Sequence, residues 1–194
     1  MNKKWEVCQE EEEKVLDLAN KSHLSPLLAS ILMNRNIDTI EKVEQFVNPT
    51  RNDFHDPFLM PDMDKAVDRI LKAINTNEKV MIYGDYDVDG ITSITVLKKF
   101  LLDRGLEAGE YTPNRLEEGY GLNKEAVKSI HEQGYTLMIT VDCGISGNEE
   151  IAYAKELGME VIVTDHHEQG EEIPNCLAVI DAKRKDNQYP FNQL

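Results

Sequence analysis

The segment Asp85-Tyr86-Asp87-Val88-Asp89-Gly90 places three carboxylates within five residues, closes them with a glycine, and follows the apolar run Val80-Met81-Ile82-Tyr83. Like charges packed this closely repel one another unless a cation neutralises them, so the segment reads as a divalent-metal site. Two later segments, Val141-Asp142-Cys143-Gly144 and Thr164-Asp165-His166-His167, end apolar runs of the same kind. Carboxylates combined with imidazole suit a divalent cation, and the pattern points to phosphate-ester chemistry.

Each segment has a plainer rival. The first matches the opening of an EF-hand calcium loop, but position 12 counted from Asp85 is Val96, where that loop needs a bidentate Glu, and a strand precedes it. Capping of a helix beginning near Ile91 explains one carboxylate, not three. Asp142 alone would be an ordinary strand-end acid, yet the nearby glycine permits close backbone approach to a ligand. Two adjacent histidines behind an aspartate at a strand end rarely serve packing; in the turn beyond the strand, one can bind metal while the other meets substrate. Cys143 reads as a small packed residue, and His23, His55 and His131 as surface or structural. Asn114 and Arg115, in the loop running to Gly121-Leu122, are candidate substrate contacts: the Arg115 fork suits a phosphate oxygen, and an ordinary salt-bridging arginine in a turn-rich loop is the competing reading.

The elements that must position these groups change character along the chain. Residues 1–60 read as a small helical region and connector, with a helix over 26–35 carrying Leu27, Leu28, Ile31 and Leu32 on one face. Asp38 opens the next helix, with Glu41 at capping-box spacing. Helical spacing returns from Met63 to Ile74. From Lys79 onward strand, turn and helix alternate: strands are expected at 79–84, 109–112, 137–142, 160–165 and 177–181, helices near 91–104, 123–133 and 148–157, with Asn123 and Asn148 as N-caps. The fold class is therefore α/β, a parallel sheet with helices on both faces, over residues 61–194. In such sheets ligands bind at the carboxyl ends of strands, where Asp85, Asp142 and Asp165 all fall.

Composition narrows the class further. The 194 residues are 41% hydrophobic, enough for a sizeable core, and carry a net charge of −15, which argues against coating nucleic acid by bulk electrostatics but not against an enzyme acting on it. Part of the acidity lies in the run Glu10 to Glu13, expected to be a solvated helix start. Three cysteines without metal-ligand spacing, no apolar leader and no run near the roughly 20 residues of a membrane span lead to the expectation of a cytoplasmic protein, neither exported nor membrane-embedded.

Asp85-Tyr86-Asp87-Val88-Asp89-Gly90-Ile91-Thr92-Ser93, Val141-Asp142-Cys143-Gly144-Ile145-Ser146 and Asp165-His166-His167 resemble the first three motifs of the DHH phosphoesterase superfamily. The segments His55 to Met63, Pro113 to Leu122 and Tyr189-Pro190-Phe191 are similar to its bacterial single-strand-specific exonuclease branch. The resemblance implies 5′-to-3′ hydrolysis of single-stranded DNA to 5′-mononucleotides, in repair and recombination, with Mn²⁺ or Mg²⁺, two ions in the complete enzyme. It further implies Asp87, Asp89, Asp142 and His166 as metal ligands, Asp142 bridging, and Asp85 as a further ligand or supporting acid. His167 would contact the scissile phosphate or help place the nucleophile, and Asp165 would orient the histidines. Helicase and single-strand-binding protein are the implied partners. The family carries a fourth metal-binding aspartate downstream. Asp181, in Val179-Ile180-Asp181-Ala182-Lys183-Arg184, resembles a connector instead, so the chain is expected to be the N-terminal piece of a longer enzyme. An oligoribonuclease, a cyclic-dinucleotide phosphodiesterase, a pyrophosphatase and an inactive metal-stabilised binding fragment remain alternatives.

Overall fold

The computed structural model describes residues 11–191. The chain divides into two compact units between Phe54 and His55. The first holds α1 (Glu12–Ser22), α2 (Pro26–Met33) and α3 (Ile40–Val47) around a small core of Val15, Leu18, Ala19, Ala29, Leu32 and Val43. Cys8 and Glu10 lie outside the described residues, while Glu12 and Glu13 form the exposed acidic first turn of α1. The apolar face expected for α2 is corrected: Ala29 and Leu32 are buried, whereas Leu27, Leu28 and Ile31 are exposed. The α3 cap is corrected too. Thr39 is extended and its Oγ1 accepts the Lys42 N–H at 3.3 Å, because Asp38 is engaged by Lys42 Nζ.

The second unit begins with a connector containing a 3₁₀ turn, Pro57–Leu59, and continues through α4 (Met63–Thr76) into the alternating region. Its elements are β1 (Val80–Gly84), α5 (Val88–Leu102), β2 (Gly109–Tyr111), α6 (Lys124–Glu132), β3 (Leu137–Val141), α7 (Asn148–Glu156), β4 (Glu160–Thr164) and β5 (Ala178–Ile180). The five strands are all parallel in the order β2-β1-β3-β4-β5. Alternation along each strand separates two cores. Val80, Ile82, Ile139, Val141, Ile162 and Ile180 pack with α4 and α5. Met81, Tyr83, Met138, Val161, Val163 and Val179 pack with α6 and α7. This is the expected α/β architecture with helices on both faces. No described helix is long and apolar enough to cross a membrane.

The connection leaving β1 runs to β2 and the connection leaving β3 runs the opposite way to β4, so the switch point of the sheet lies between β1 and β3. A crevice opens at the carboxyl ends of strands flanking such a switch point. Two helix starts differ from expectation. α5 begins at Val88, three residues early, because Asp87 is extended and its Oδ1 accepts the Gly90 N–H at 3.0 Å; Asp89 therefore sits in the first helical turn. α7 is capped by Gly147 without a side chain: the turn closed by Gly147 N–H donating to Gly144 O delivers the chain into the helix one residue early, making Asn148 helical. Asn123 caps α6 as expected, its Oδ1 accepting from Ala126 at 2.7 Å.

Gly90 determines how closely α5 approaches the end of β1. A Cβ at Gly90 would stand 2.3 Å from the Asp85 carbonyl oxygen and 2.7 Å from its nitrogen, so backbone rather than a movable side chain blocks it. Gly90→Ala is expected to destabilise the second unit by about 2–3 kcal/mol. Urea unfolding followed by far-UV circular dichroism checks this; an unchanged midpoint would show that α5 can shift away freely.

Candidate metal centre

Parallel register builds the site. Gly84, Val141, Thr164 and Ile180 pair side by side across β1, β3, β4 and β5. The residue following each is an aspartate: Asp85, Asp142, Asp165 and Asp181. Four acids from segments far apart in sequence thus stand in one row at the carboxyl edge. Asp85, Asp142 and Asp181 are buried, and the Asp165 side chain is 1% exposed.

The four differ in what satisfies them. Asp165 is fully engaged: Oδ1 accepts the N–H groups of His166 (2.7 Å) and His167 (3.2 Å) and lies 2.7 Å from His167 Nδ1, while Oδ2 accepts the Ile145 N–H at 2.9 Å. Asp142 adopts a left-handed backbone, φ 58°, tolerated by Asp and Asn better than by other side-chain-bearing residues. Its Oδ1 is 3.0 Å from His166 Nε2, and its Oδ2 is buried without a hydrogen-bond partner among the described residues. Among the described residues, Asp85 has neither oxygen partnered, and Asp181 has Oδ1 on the Lys183 N–H but Oδ2 without a partner. Unpaired buried carboxylate oxygens are costly, and a cluster of them with imidazole beside it suits a cation. Burial, then the charge of Asp87, raises the Asp142 carboxyl above the usual range, and burial raises Asp181 as well. The Gly90 N–H bond holds Asp87 below it.

Asp142, His166 and His167 offer ligand atoms within 4.8 Å of one another. The two rings, 4.6 Å apart, open onto different cavities. One of about 400 Å³ is bordered by Asp89, Asp142, His166 and Asp181; another of about 160 Å³ is bordered by His167, Tyr120 and the Gly144–Gly147 turn. The turn is tight because Gly144, at φ 112°, lies where a Cβ would come within 2.6 Å of Thr140 Oγ1. Cys143 is packed at 2% exposure, and burial raises its thiol far above the ordinary value, which leaves it inert.

The structure therefore brings Asp85, Asp87, Asp89, Asp142, Asp165, His166 and His167 to one edge. It does not bring Asn114 or Arg115 to either cavity. Both are exposed; the Asn114 Oδ1 accepts the Leu116 N–H, and the Arg115 guanidinium lies 5.4 Å from the Tyr86 ring centroid. Two residues absent from the expected set belong here. Tyr120 places its hydroxyl 3.1 Å from His167 Nε2 and edges against the same ring, and Asp181 lines the larger cavity. Asp181 reads from sequence as a strand-end acid whose surroundings resemble a connector, and Tyr120 lies in the loop running to Gly121-Leu122, but neither carries a local sign of its place at this site.

A raised folded carboxyl binds its proton more tightly in the fold than in the unfolded chain. The stability contributed by Asp142 accordingly falls as pH rises from its ordinary value of 3.8 through the higher folded value, then levels off. Asp142→Asn keeps the left-handed backbone and removes this dependence. In chelator, the unfolding free energy of the variant minus that of the parent is expected to be near zero below pH 3.8 and to grow in the variant's favour towards neutrality, as measured by urea titrations across pH. The opposite slope would place Asp142 in a stabilising ion pair.

Residues 79–188 match the DHH family, N-terminal domain. The single-stranded-DNA-specific exonuclease RecJ of Bacillus subtilis is 45% identical over 191 residues, 98% of this chain and 24% of that protein. The RecJ of Escherichia coli is 31% identical over 198 residues, all of this chain and 33% of that one. A solved structure of exonuclease RecJ bound to manganese aligns with 66% of this chain and 32% of its own, at 35% identity and TM-score 0.61. RecJ from Thermus thermophilus in complex with Mn²⁺ shares the fold over 94% of this chain and 25% of its own, at TM-score 0.67 and 24% identity. The chain thus spans about a quarter to a third of the length of these relatives. With the family's domain matched over the whole sheet that carries the aspartate row, this chain belongs to the DHH family.

Proposed function

We propose that the chain is the N-terminal catalytic part of a metal-dependent 5′-to-3′ exonuclease that hydrolyses single-stranded DNA to 5′-mononucleotides in repair and recombination, with Mn²⁺ or Mg²⁺. The observation that carries the reading is the aspartate row beside the His166–His167 pair, in a chain 45% identical to a single-stranded-DNA-specific exonuclease.

The donor set fits a divalent cation: Asp85 and Asp142 hold three buried oxygens that no described donor satisfies, and imidazole nitrogens stand beside them. Asp85, Asp87, Asp89, Asp142 and His166 would hold the metal, with Asp142 shared where two ions bind. Bound ions would make a water nucleophilic near neutral pH and neutralise charge developing on the phosphate. Asp165 fixes the rest. With His167 Nδ1 donating to Asp165, Nε2 carries the ring's lone pair, which accepts from the Tyr120 hydroxyl at 3.1 Å and would accept a proton from an attacking water that displaces it. Asn114 and Arg115 stay in the proposal as contacts to the strand, which requires their loop to close over the site. A cytoplasmic setting, with a helicase and a single-strand-binding protein as partners, belongs to the same proposal, because a nuclease confined to single strands depends on proteins that unwind duplexes and hold strands open.

The test offers Mn²⁺ with 5′-labelled single-stranded DNA, short RNA, a cyclic dinucleotide or pyrophosphate to the chain and to the same chain extended to the length of its relatives. Mononucleotides released preferentially from DNA are expected; cleavage of the small substrates alone would overturn the reading. Asp89→Ala in the extended protein is expected to lower turnover at least about a hundredfold with the fold retained by circular dichroism. Undiminished turnover would remove Asp89 from the centre.

A further inference from the structure

Asp181 has a local duty that does not need its charge. Its Oδ1 accepts the Lys183 N–H at 2.7 Å, closing the turn after β5, and Asn or Ser could do the same. Yet the residue is an aspartate at 1% exposure, with Oδ2 buried and unpartnered among the described residues. In either protonation state that oxygen lacks a protein partner. The nearby cations are engaged elsewhere: Lys183 Nζ lies 3.7 Å from Glu168, and the Arg184 guanidinium is held by Asp62 and Asp186, each at 2.7 Å.

Its neighbours indicate what the free oxygen faces. Asp181 follows Ile180 of β5 as Asp165 follows Thr164 of β4, and the Asp165 N–H donates to Ile180 O at 3.0 Å. Asp181 also borders the 400 Å³ cavity lined by Asp89, Asp142 and His166. A third incompletely paired carboxylate beside Asp85 and Asp142 is the arrangement that a cation entering the cavity would neutralise. The geometry points to Asp181 as a further acidic group of the cation site, holding the metal from the β5 side of the cavity, distinct from any aspartate supplied farther along the chain. This rests on the metal-centre reading above.

The experiment measures Mn²⁺ alone. Free Mn²⁺ is followed by electron paramagnetic resonance during titration of the parent chain, Asp181→Asn, Asp142→Asn and, as a control for loss of one surface charge, Glu107→Gln. Thermal unfolding is recorded with chelator and with Mn²⁺. Asp181→Asn is expected to weaken Mn²⁺ binding about tenfold or more and to shrink the Mn²⁺-induced rise in Tm, while Glu107→Gln changes neither. Asp181→Ser keeps an acceptor for the Lys183 N–H and serves the same comparison should the Asn variant fail to fold. Binding within about twofold of the parent, alongside a clear loss in Asp142→Asn, overturns the role of Asp181 and leaves the metal centre standing. Failure of the parent to bind Mn²⁺, or indifference to Asp142→Asn, overturns both.

Discussion

Repulsion among buried like charges is the constraint on which the rest of this structure depends. Parallel strands in register deliver equivalent positions to one edge, and in β1, β3, β4 and β5 the first residue beyond the strand is Asp. An antiparallel sheet would send alternate strand ends to opposite edges and separate these acids. The crossover helices that a parallel sheet requires also bury the strands on both faces, so the acids lie at the edge of a low-dielectric layer where their mutual repulsion is least screened.

Within that row, residues of one type have different tasks because different donors reach them. Asp165 receives three backbone N–H groups and the His167 ring, so both of its oxygens are engaged and its position is fixed. Among the described residues Asp85 receives no donor, and Asp142 lies beside the His166 ring and the Asp87 carboxylate with one oxygen unpartnered. The division follows from local backbone. The chain after β4 turns so that successive N–H groups converge on Asp165, whereas after β1 it enters α5 and gives its capping bond to Asp87. Gly90 lets that helix start press directly on the Asp85 backbone, which keeps Asp85 buried and Asp89 at the cavity.

Much of this was legible in the sequence because it depends on period and punctuation. Apolar runs separated by helical stretches sufficed for the parallel sheet, and the strand-end rule for Asp85, Asp142 and Asp165. What escaped depended either on a carboxylate taking a second, capping role or on contacts between separate segments. The start of α5 moved to Val88 because Asp87, one of the presumed ligands, also caps the helix. The α2 face was misjudged because the closely spaced aliphatic residues of that segment leave two possible stripes, and packing around α1 selected Ala29 and Leu32. Asp181 resembles no ligand motif, and only its register beside Asp165 reveals it. Tyr120 reaches His167 across 47 positions of sequence, which no local pattern encodes.

The overall acidity then acquires a meaning that composition alone did not provide. A chain of net charge −15 with an acidic cavity repels a phosphodiester, and Arg115, a basic residue near the aromatic wall of Tyr86 and Tyr120, lies outside both cavities. On the exonuclease reading, a bound cation would supply attraction for the strand within the cavity, with stacking surfaces such as the Tyr86–Tyr120 pair, whose rings meet edge to face at 6.2 Å, beside it. Cation binding and strand binding would then be thermodynamically linked, each strengthening the other by the same factor. On that reading, the carboxylates that would disfavour an anionic strand without metal are the groups that would hold the charge able to attract it.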